Sequence, residues 1–181
     1  MSVYCDLVKT LESDHPHKVY HDNEYGFPIF DDNELFGRLI LEINQAGLNW
    51  LTILKKKDAF RVAFADFDIK KIANFGEADI EILMNNKAII RNRKKIEAVI
   101  YNANVLIDIQ HEHDSFYNWI EKNAHLKIDE WTILFKKKFK FTGKLIIEEF
   151  LMSIGVLKGA HIESCPIFKL IIKKEPLWSK K

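Results

Sequence analysis

Two cysteines and two histidines of the chain have the side chains and spacing of a metal site. Cys5 and His21 lie near the start of the sequence, and His161 and Cys165 lie four residues apart, about one helical turn, near its end. A Cys2His2 set commonly binds zinc tetrahedrally, so a meeting of the two pairs would tie the N-terminal arm to the C-terminal arm. A chance spacing and a disulfide between the two cysteines remain alternatives, although a reducing cytosol disfavours the disulfide.

Length and composition predict a globular, cytoplasmic protein. The chain has 181 residues, 48% of them hydrophobic, which suffices for one domain or two small lobes. No apolar run approaches the roughly 20 residues of a membrane span, and nothing resembling a signal peptide precedes Cys5. The net charge of +1 conceals four clusters of basic residues, at 55–57, 91–95, 136–140 and 180–181. Each cluster is either a solvated helix surface or part of a basic face.

Helical periodicity dominates the chain and predicts an all-α fold. Apolar residues recur at helical spacing, glycines stand where helices should end, and convincing strand alternation is absent. No glycine-rich phosphate loop is present, so we expect no nucleotide cofactor. The predicted helices cover residues 35–46, a segment capped by Asn49 and reaching Phe64, a turn capped by Asp68, and residues 78–85, 92–109, 116–121, 129–137 and 146–154.

Glu42 falls at the edge of the apolar stripe of the helix predicted over 35–46. A partly buried carboxylate is costly unless it has a partner or a task, so the alternatives are an ion pair with Lys or Arg and a ligand contact. Tyr20, Tyr25 and Trp50 are close in sequence and could be ordinary core residues. An aromatic pocket with one carboxylate would suit a flat, cationic ligand that donates hydrogen bonds, such as a modified nucleobase.

The connection between the helices predicted over 78–85 and 92–109 is a candidate DNA-binding hairpin. Backbone N–H groups at the start of the second helix can bind a phosphate. Ala88 stands near where such hairpins usually have glycine, so we expect Asn85 or Asn86 to adopt the left-handed conformation instead. The basic side chains that add positive charge there, and that we predict to bind DNA, are Arg91, Arg93, Lys94 and Lys95.

Several segments of the chain resemble the DNA-3-methyladenine glycosylase I family. The stretches 20–26 (YHDNEYG) and 42–57 (EINQAGLNWLTILKKK) resemble its two signature segments. Residues 89–96 resemble its hairpin, and residues 139–143, followed by the two C-terminal ligands, resemble its last block. The resemblance implies one helix-hairpin-helix glycosylase-like unit over 1–181. Its helical DNA-binding lobe would span about 30–145, and its zinc-tethered terminal lobe would comprise residues 1–29 together with 146–181.

The resemblance also implies roles for individual residues. Glu42 would contact the damaged base, and one structural zinc ion per chain would be bound by Cys5, His21, His161 and Cys165. The implied substrate-binding residues are Tyr20, Tyr25 and Trp50, which form the pocket, and Gln45 and Leu48, which fill the gap left by the extruded base. Three positions of the implied pocket depart from the family, with Leu7 for tryptophan, His17 for tyrosine and Tyr25 for tryptophan, and they reduce its aromatic surface. Outside the pocket, residues 158–160 replace an Asn-Asp pair, Lys138 replaces a glycine, and the region 122–139 is short.

The activity implied by the resemblance is hydrolysis of an N-glycosidic bond in base-excision repair. The substrate would be 3-methyladenine in alkylated double-stranded DNA, reached by base flipping. We expect a monofunctional enzyme without a lysine Schiff base, since no second carboxylate is evident as a base for water. We also expect a monomer. The alternative is a non-catalytic, zinc-containing DNA-binding protein that recognises damaged DNA. A zinc hydrolase is disfavoured because four protein ligands leave zinc no open position.

Overall fold

The computed structural model describes residues 3–180 and confirms the all-α class. Within that range all regular secondary structure is helical. No helix in the described part of the chain is both long and apolar enough to cross a membrane. Lys181, the last residue of the predicted basic cluster at 180–181, lies outside the described residues.

Twelve α-helices follow one another along residues 3–180. They are α1 (Val3–Val8), α2 (Pro16–Asn23), α3 (Asp32–Gln45), α4 (Trp50–Leu54), α5 (Lys57–Ala63), α6 (Ile69–Ala73), α7 (Glu77–Asn85), α8 (Arg93–His113), α9 (Phe116–Lys122), α10 (Ile128–Lys138), α11 (Lys144–Ser153) and α12 (Pro166–Ile172). Single 3₁₀ turns cover Ala65–Phe67 and Leu177–Ser179.

Helix α3 forms the centre of the core. Every residue from Leu35 to Asn44 is buried, and the helix contacts α4, α5, α6, α8, α9 and α11. The Asp32 carboxylate at its start accepts hydrogen bonds from the backbone N–H groups of Phe116 (2.8 Å) and Tyr117 (3.1 Å), which attaches α9 to α3. Because its polar residues are buried along with its apolar ones, α3 carries charged side chains into the interior.

The predicted helix caps are confirmed, while the lengths of several elements differ from the prediction. The side chains of Asn49 and Asp68 accept hydrogen bonds from the first turns of α4 and α6. The segment predicted as one helix up to Phe64 is two helices, which are separated at Lys55 and Lys56. Helices α1, α2 and α12 were not predicted, since runs of six to eight residues are too short to show a clear apolar period.

Two local predictions are corrected by the structure. The step from His161 to Cys165 is not a helical turn, because Cys165 is the N-cap of α12 and Pro166 begins that helix. Neither Asn85 nor Asn86 is left-handed. Instead, the Asn86 side chain accepts a 2.9 Å hydrogen bond from the backbone N–H of Ala88, and this side-chain turn replaces the expected glycine conformation.

Candidate functional site

The four predicted metal ligands come together in one buried cluster. Cys5 on α1, His21 on α2, and His161 and Cys165 before α12 each offer one ligand atom, and these atoms all lie within 4.8 Å of one another. Both cysteines are free thiols, so the structure does not contain the alternative disulfide. The first and last helices of the fold are thus joined at a single point.

The spacing of these atoms fits a tetrahedral ion. The Cys5 sulfur lies 3.4 Å from His21 Nε2 and 3.8 Å from His161 Nδ1, and the Cys165 sulfur lies 3.8 Å and 3.5 Å from the same two nitrogens. A tetrahedral zinc ion with ordinary Zn–S and Zn–N bonds would place sulfur and nitrogen about 3.6 Å apart. The thiol and imidazole donors match that requirement in both type and distance.

The outward nitrogens of both imidazoles are held by hydrogen-bond partners. His21 Nδ1 lies 2.7 Å from a carboxylate oxygen of Asp22, and His161 Nε2 donates to the Tyr25 carbonyl oxygen over 2.8 Å. Such partners fix the ring orientation and leave the other nitrogen free to bind a metal. The four side chains could therefore hold a metal ion together.

A pocket of about 330 Å³ lies beside this cluster. The predicted site residues that line it are Tyr20, Tyr25, Glu42, Gln45 and Trp50. Tyr20 is at the centre of its aromatic wall, with ring centroids 5.5 Å from Tyr25 and 5.2 Å from Trp50. Since α2 also carries His21, the metal cluster and the pocket wall share one element.

Glu42 is a buried carboxylate without a protein partner. It is 5% exposed, and among the described residues no hydrogen bond or ion pair reaches its side chain, so the ion-pair alternative is not observed. The nearby Arg38 guanidinium instead donates to the Tyr20 hydroxyl (2.6 Å) and to Glu24 (3.2 Å). Burial raises the pKa of Glu42 to about 8, although the charge of Arg38 opposes the shift. A group of this kind is suited to a ligand that supplies the missing donor or positive charge.

Of the two residues predicted to fill the gap left by the base, Gln45 lines the pocket and Leu48 does not. The Gln45 side-chain amide donates a 3.0 Å hydrogen bond to the Leu48 carbonyl oxygen, and the Leu48 side chain is 39% exposed. Gly47, between them, has a φ of +80° that favours glycine. Leu48 therefore projects from a short, ordered turn after α3.

Four residues of the pocket were not among the predicted site residues. Tyr4, Leu7 and His17 line it from α1 and α2, and Glu149 lines it from α11. Leu7 and His17 were identified only as departures from the family. Glu149 is a second carboxylate of the pocket that was not evident from the sequence, which offers no signal to distinguish it from its neighbour Glu148.

The predicted basic residues of the hairpin have different surroundings. Arg91 and Lys94 are exposed. Arg93 forms ion pairs with Glu77 and Glu81 of α7.

Lys95 has a different role from the one predicted. Its side chain is buried, and its ammonium group donates to the carbonyl oxygens of Asn44 (2.9 Å) and Ala46 (2.8 Å). Lys95 thus satisfies the carbonyl groups at the C-terminal end of α3 and is not free for a phosphate.

Comparisons with known proteins agree with this arrangement. Residues 10–133 match the family model described as methyladenine glycosylase. The DNA-3-methyladenine glycosylase of Haemophilus influenzae is 34% identical over 81% of this chain and 89% of its own length, and DNA-3-methyladenine glycosylase 1 of Escherichia coli is 34% identical over 81% and 88%.

Solved structures give the same result. A variant of 3-methyladenine DNA glycosylase I in complex with 3-methyladenine is 32% identical, with a TM-score of 0.80 over 86% of this chain and 94% of that one. The resemblance noted in the sequence is confirmed, and this chain belongs to the methyladenine glycosylase family.

Proposed function

We propose that this protein is a DNA glycosylase of base-excision repair that hydrolyses the N-glycosidic bond of 3-methyladenine in alkylated double-stranded DNA. The observation that carries the proposal is the unpartnered, buried Glu42 facing an aromatic pocket. Membership of the methyladenine glycosylase family supports the same substrate. The flipped nucleotide would enter the pocket after its stacking in the duplex is lost, which costs a few kcal/mol.

The pocket residues would recognise the positive charge and the flat shape of the alkylated base. Tyr20, Tyr25 and Trp50 would stack on or surround the ring, which contributes about 2 kcal/mol when a cation is desolvated. The Glu42 carboxylate would accept a hydrogen bond from the base edge and complement its charge. Because the methylated base is already cationic, it is a good leaving group, and selection of the base accounts for much of the catalysis.

Gln45 and Leu48 would occupy the space that the flipped base leaves in the duplex. Gln45 lines the pocket, and Leu48, three residues further along the chain, offers an exposed apolar side chain that can pack between neighbouring bases. The hydrogen bond between Gln45 and Leu48 would keep this apolar group in place while the base is in the pocket.

We also propose that the Cys2His2 cluster binds one structural zinc ion per chain. Cys5, His21, His161 and Cys165 would supply all four ligands, so the ion would have no open position for water and would serve the fold. Its place beside Tyr20 and Tyr25 indicates that it stabilises the pocket wall. We expect the protein to act as a monomer without a nucleotide cofactor.

The proposed activity can be tested by measuring the release of free base from duplex DNA treated with a methylating agent. We expect 3-methyladenine in the soluble fraction and an abasic site in the strand, with no strand cleavage. Binding to methylated duplex without release would instead favour the non-catalytic DNA-binding protein.

The exposed cations of the hairpin should contribute to DNA affinity irrespective of sequence. For the double variant Arg91→Gln/Lys94→Gln, we expect weaker binding to all duplexes and a salt dependence shallower by about two units of log affinity per log salt, because two phosphate contacts are lost. Titrations at several salt concentrations measure the slope.

Lys95→Met provides the contrast for this measurement. It should lower the melting temperature, since two helix-end carbonyl groups would lose their donor, and leave the salt dependence unchanged. An unchanged slope in the double variant would show that Arg91 and Lys94 are only solvated.

A further inference from the structure

Glu149 is a second carboxylate of the pocket, and it lies at a different depth from Glu42. Glu42, on α3, is almost fully buried, whereas Glu149, on α11, is exposed. Glu149 lines both the pocket and an adjoining groove between residues 45–47 and 143–146. It therefore stands at the mouth, where the pocket opens towards the groove.

The mouth is the place where the sugar of a flipped nucleotide must lie. A base inside the pocket remains bonded to its deoxyribose, which stays with the DNA backbone outside. Groups at the closed end of the pocket meet the base, and groups at the mouth meet the glycosidic bond and C1′. Of the two carboxylates that line the pocket, only Glu149 also lines the groove, so it is the one that would face the sugar.

The surroundings of Glu149 orient its carboxylate and leave part of it available. The Tyr25 hydroxyl donates to Glu149 Oε2 over 3.2 Å. Oε1 has no partner among residues 3–180, and no cation there forms an ion pair with this side chain. Although the residue as a whole is exposed, the part of its carboxylate that packs against Tyr25 loses hydration, which raises the pKa of Glu149 above its ordinary value and makes it a stronger base for water.

We propose that Glu149 is the general base that accepts a proton from the attacking water. This inference rests on the proposed glycosylase function. The water oxygen bonds to C1′ while the bond between C1′ and N9 breaks, and the electron pair of that bond neutralises the cationic base. The water proton passes to Glu149 and then to solvent. The products are neutral 3-methyladenine and an abasic sugar. The two carboxylates thus have different roles: Glu42 contacts the damaged base, and Glu149 accepts the proton of the attacking water.

The test compares Glu149→Gln with Glu148→Gln in single-turnover release of 3-methyladenine. Glu148 precedes Glu149 on α11, carries the same charge and does not line the pocket, so it controls for altered charge near DNA. We expect Glu149→Gln to be about 100-fold slower than wild type, within the range for loss of a general base, and Glu148→Gln to stay close to wild type. Equal melting temperatures would exclude a folding defect.

A binding measurement distinguishes action at the sugar from contact with the base. The probes are duplexes with a cationic pyrrolidine or a neutral tetrahydrofuran in place of the deoxyribose, and free 3-methyladenine. A carboxylate beside C1′ favours the pyrrolidine, so Glu149→Gln should lose at least tenfold in affinity for that duplex. Its affinity for the tetrahydrofuran duplex and for the free base should be unchanged.

The outcomes separate this inference from the proposed function. If wild type releases no base, the glycosylase function itself is wrong. If wild type is active and Glu149→Gln is within threefold of Glu148→Gln, Glu149 is not the general base. If Glu149→Gln weakens binding of free 3-methyladenine as much as it slows release, Glu149 contacts the base and the inference is overturned.

Discussion

Glu42→Gln is expected to slow the single-turnover release of 3-methyladenine by roughly 10- to 150-fold. The substitution keeps the size of the side chain and exchanges a carboxyl group, which the positive charge of the bound base would ionise, for a neutral amide. A hydrogen bond to a charged group contributes about 1.5–3 kcal/mol, which corresponds to that range of rates. Glu148→Gln is the matched control, because Glu148 carries the same charge and does not line the pocket.

The stability of Glu42→Gln provides an independent check. Burial raises the pKa of Glu42 from 4.5 to about 8, so the folded protein holds this proton more tightly than the unfolded chain. Between pH 4.5 and 8 the unfolded chain loses the Glu42 proton while the folded protein keeps it. The free energy of unfolding therefore falls progressively as the pH rises through this window. The variant has no ionisable group at this position. As the pH rises through this window, its melting temperature should therefore increase relative to that of wild type. Equal release rates, or no relative gain in melting temperature with rising pH, would contradict the assigned environment of Glu42.

Removal of a metal ligand is expected to have the largest effect on stability. Cys165→Ser and His161→Ala should abolish binding of one zinc ion per chain and lower the free energy of unfolding by about 4 kcal/mol or more. For a chain of this size, that loss lowers the melting temperature by roughly 10 °C or more. Metal analysis and thermal unfolding of the purified proteins measure both quantities.

A control is needed because both ligands are also buried. His125→Ala removes an exposed histidine and should change neither zinc content nor melting temperature. A strong chelator should lower the melting temperature of wild type towards that of Cys165→Ser and leave the variant unaffected. A wild-type zinc content near zero would contradict the zinc assignment, and so would unchanged content in Cys165→Ser.

The fold was largely predictable because its long helices carry regular apolar patterns. The predicted span of 78–85 is within one residue of α7, and the Asn49 and Asp68 caps were found from residue type alone. The short terminal helices could not be predicted in the same way. Their positions depend on the ligand cluster, which joins residues far apart in sequence.

Only part of the pocket lining could be predicted from the sequence. Glu42 stood out because a carboxylate on an apolar face is unusual, and a family resemblance supported it. Glu149 has an equally acidic neighbour, Glu148, and nothing in the sequence distinguishes the two. The sequence likewise does not distinguish Lys95 from Lys94. Because α8 approaches the end of α3, Lys95 is buried and bonded to that helix end, whereas Lys94 is exposed.

The distance along the chain between the two halves of the Cys2His2 cluster also determines when the pocket can form during synthesis. Cys5 and His161 are 156 residues apart. At translation rates of about 5–20 residues per second, the first ligand waits roughly 10–30 s for its partner. Tyr20 and Tyr25 leave the ribosome early, and Tyr20 can contact Arg38 and Trp50 soon afterwards, but the ligand cluster beside them is complete only when Cys165 follows. A nascent chain would therefore gain the basic hairpin before it gains the ability to hold a flipped base.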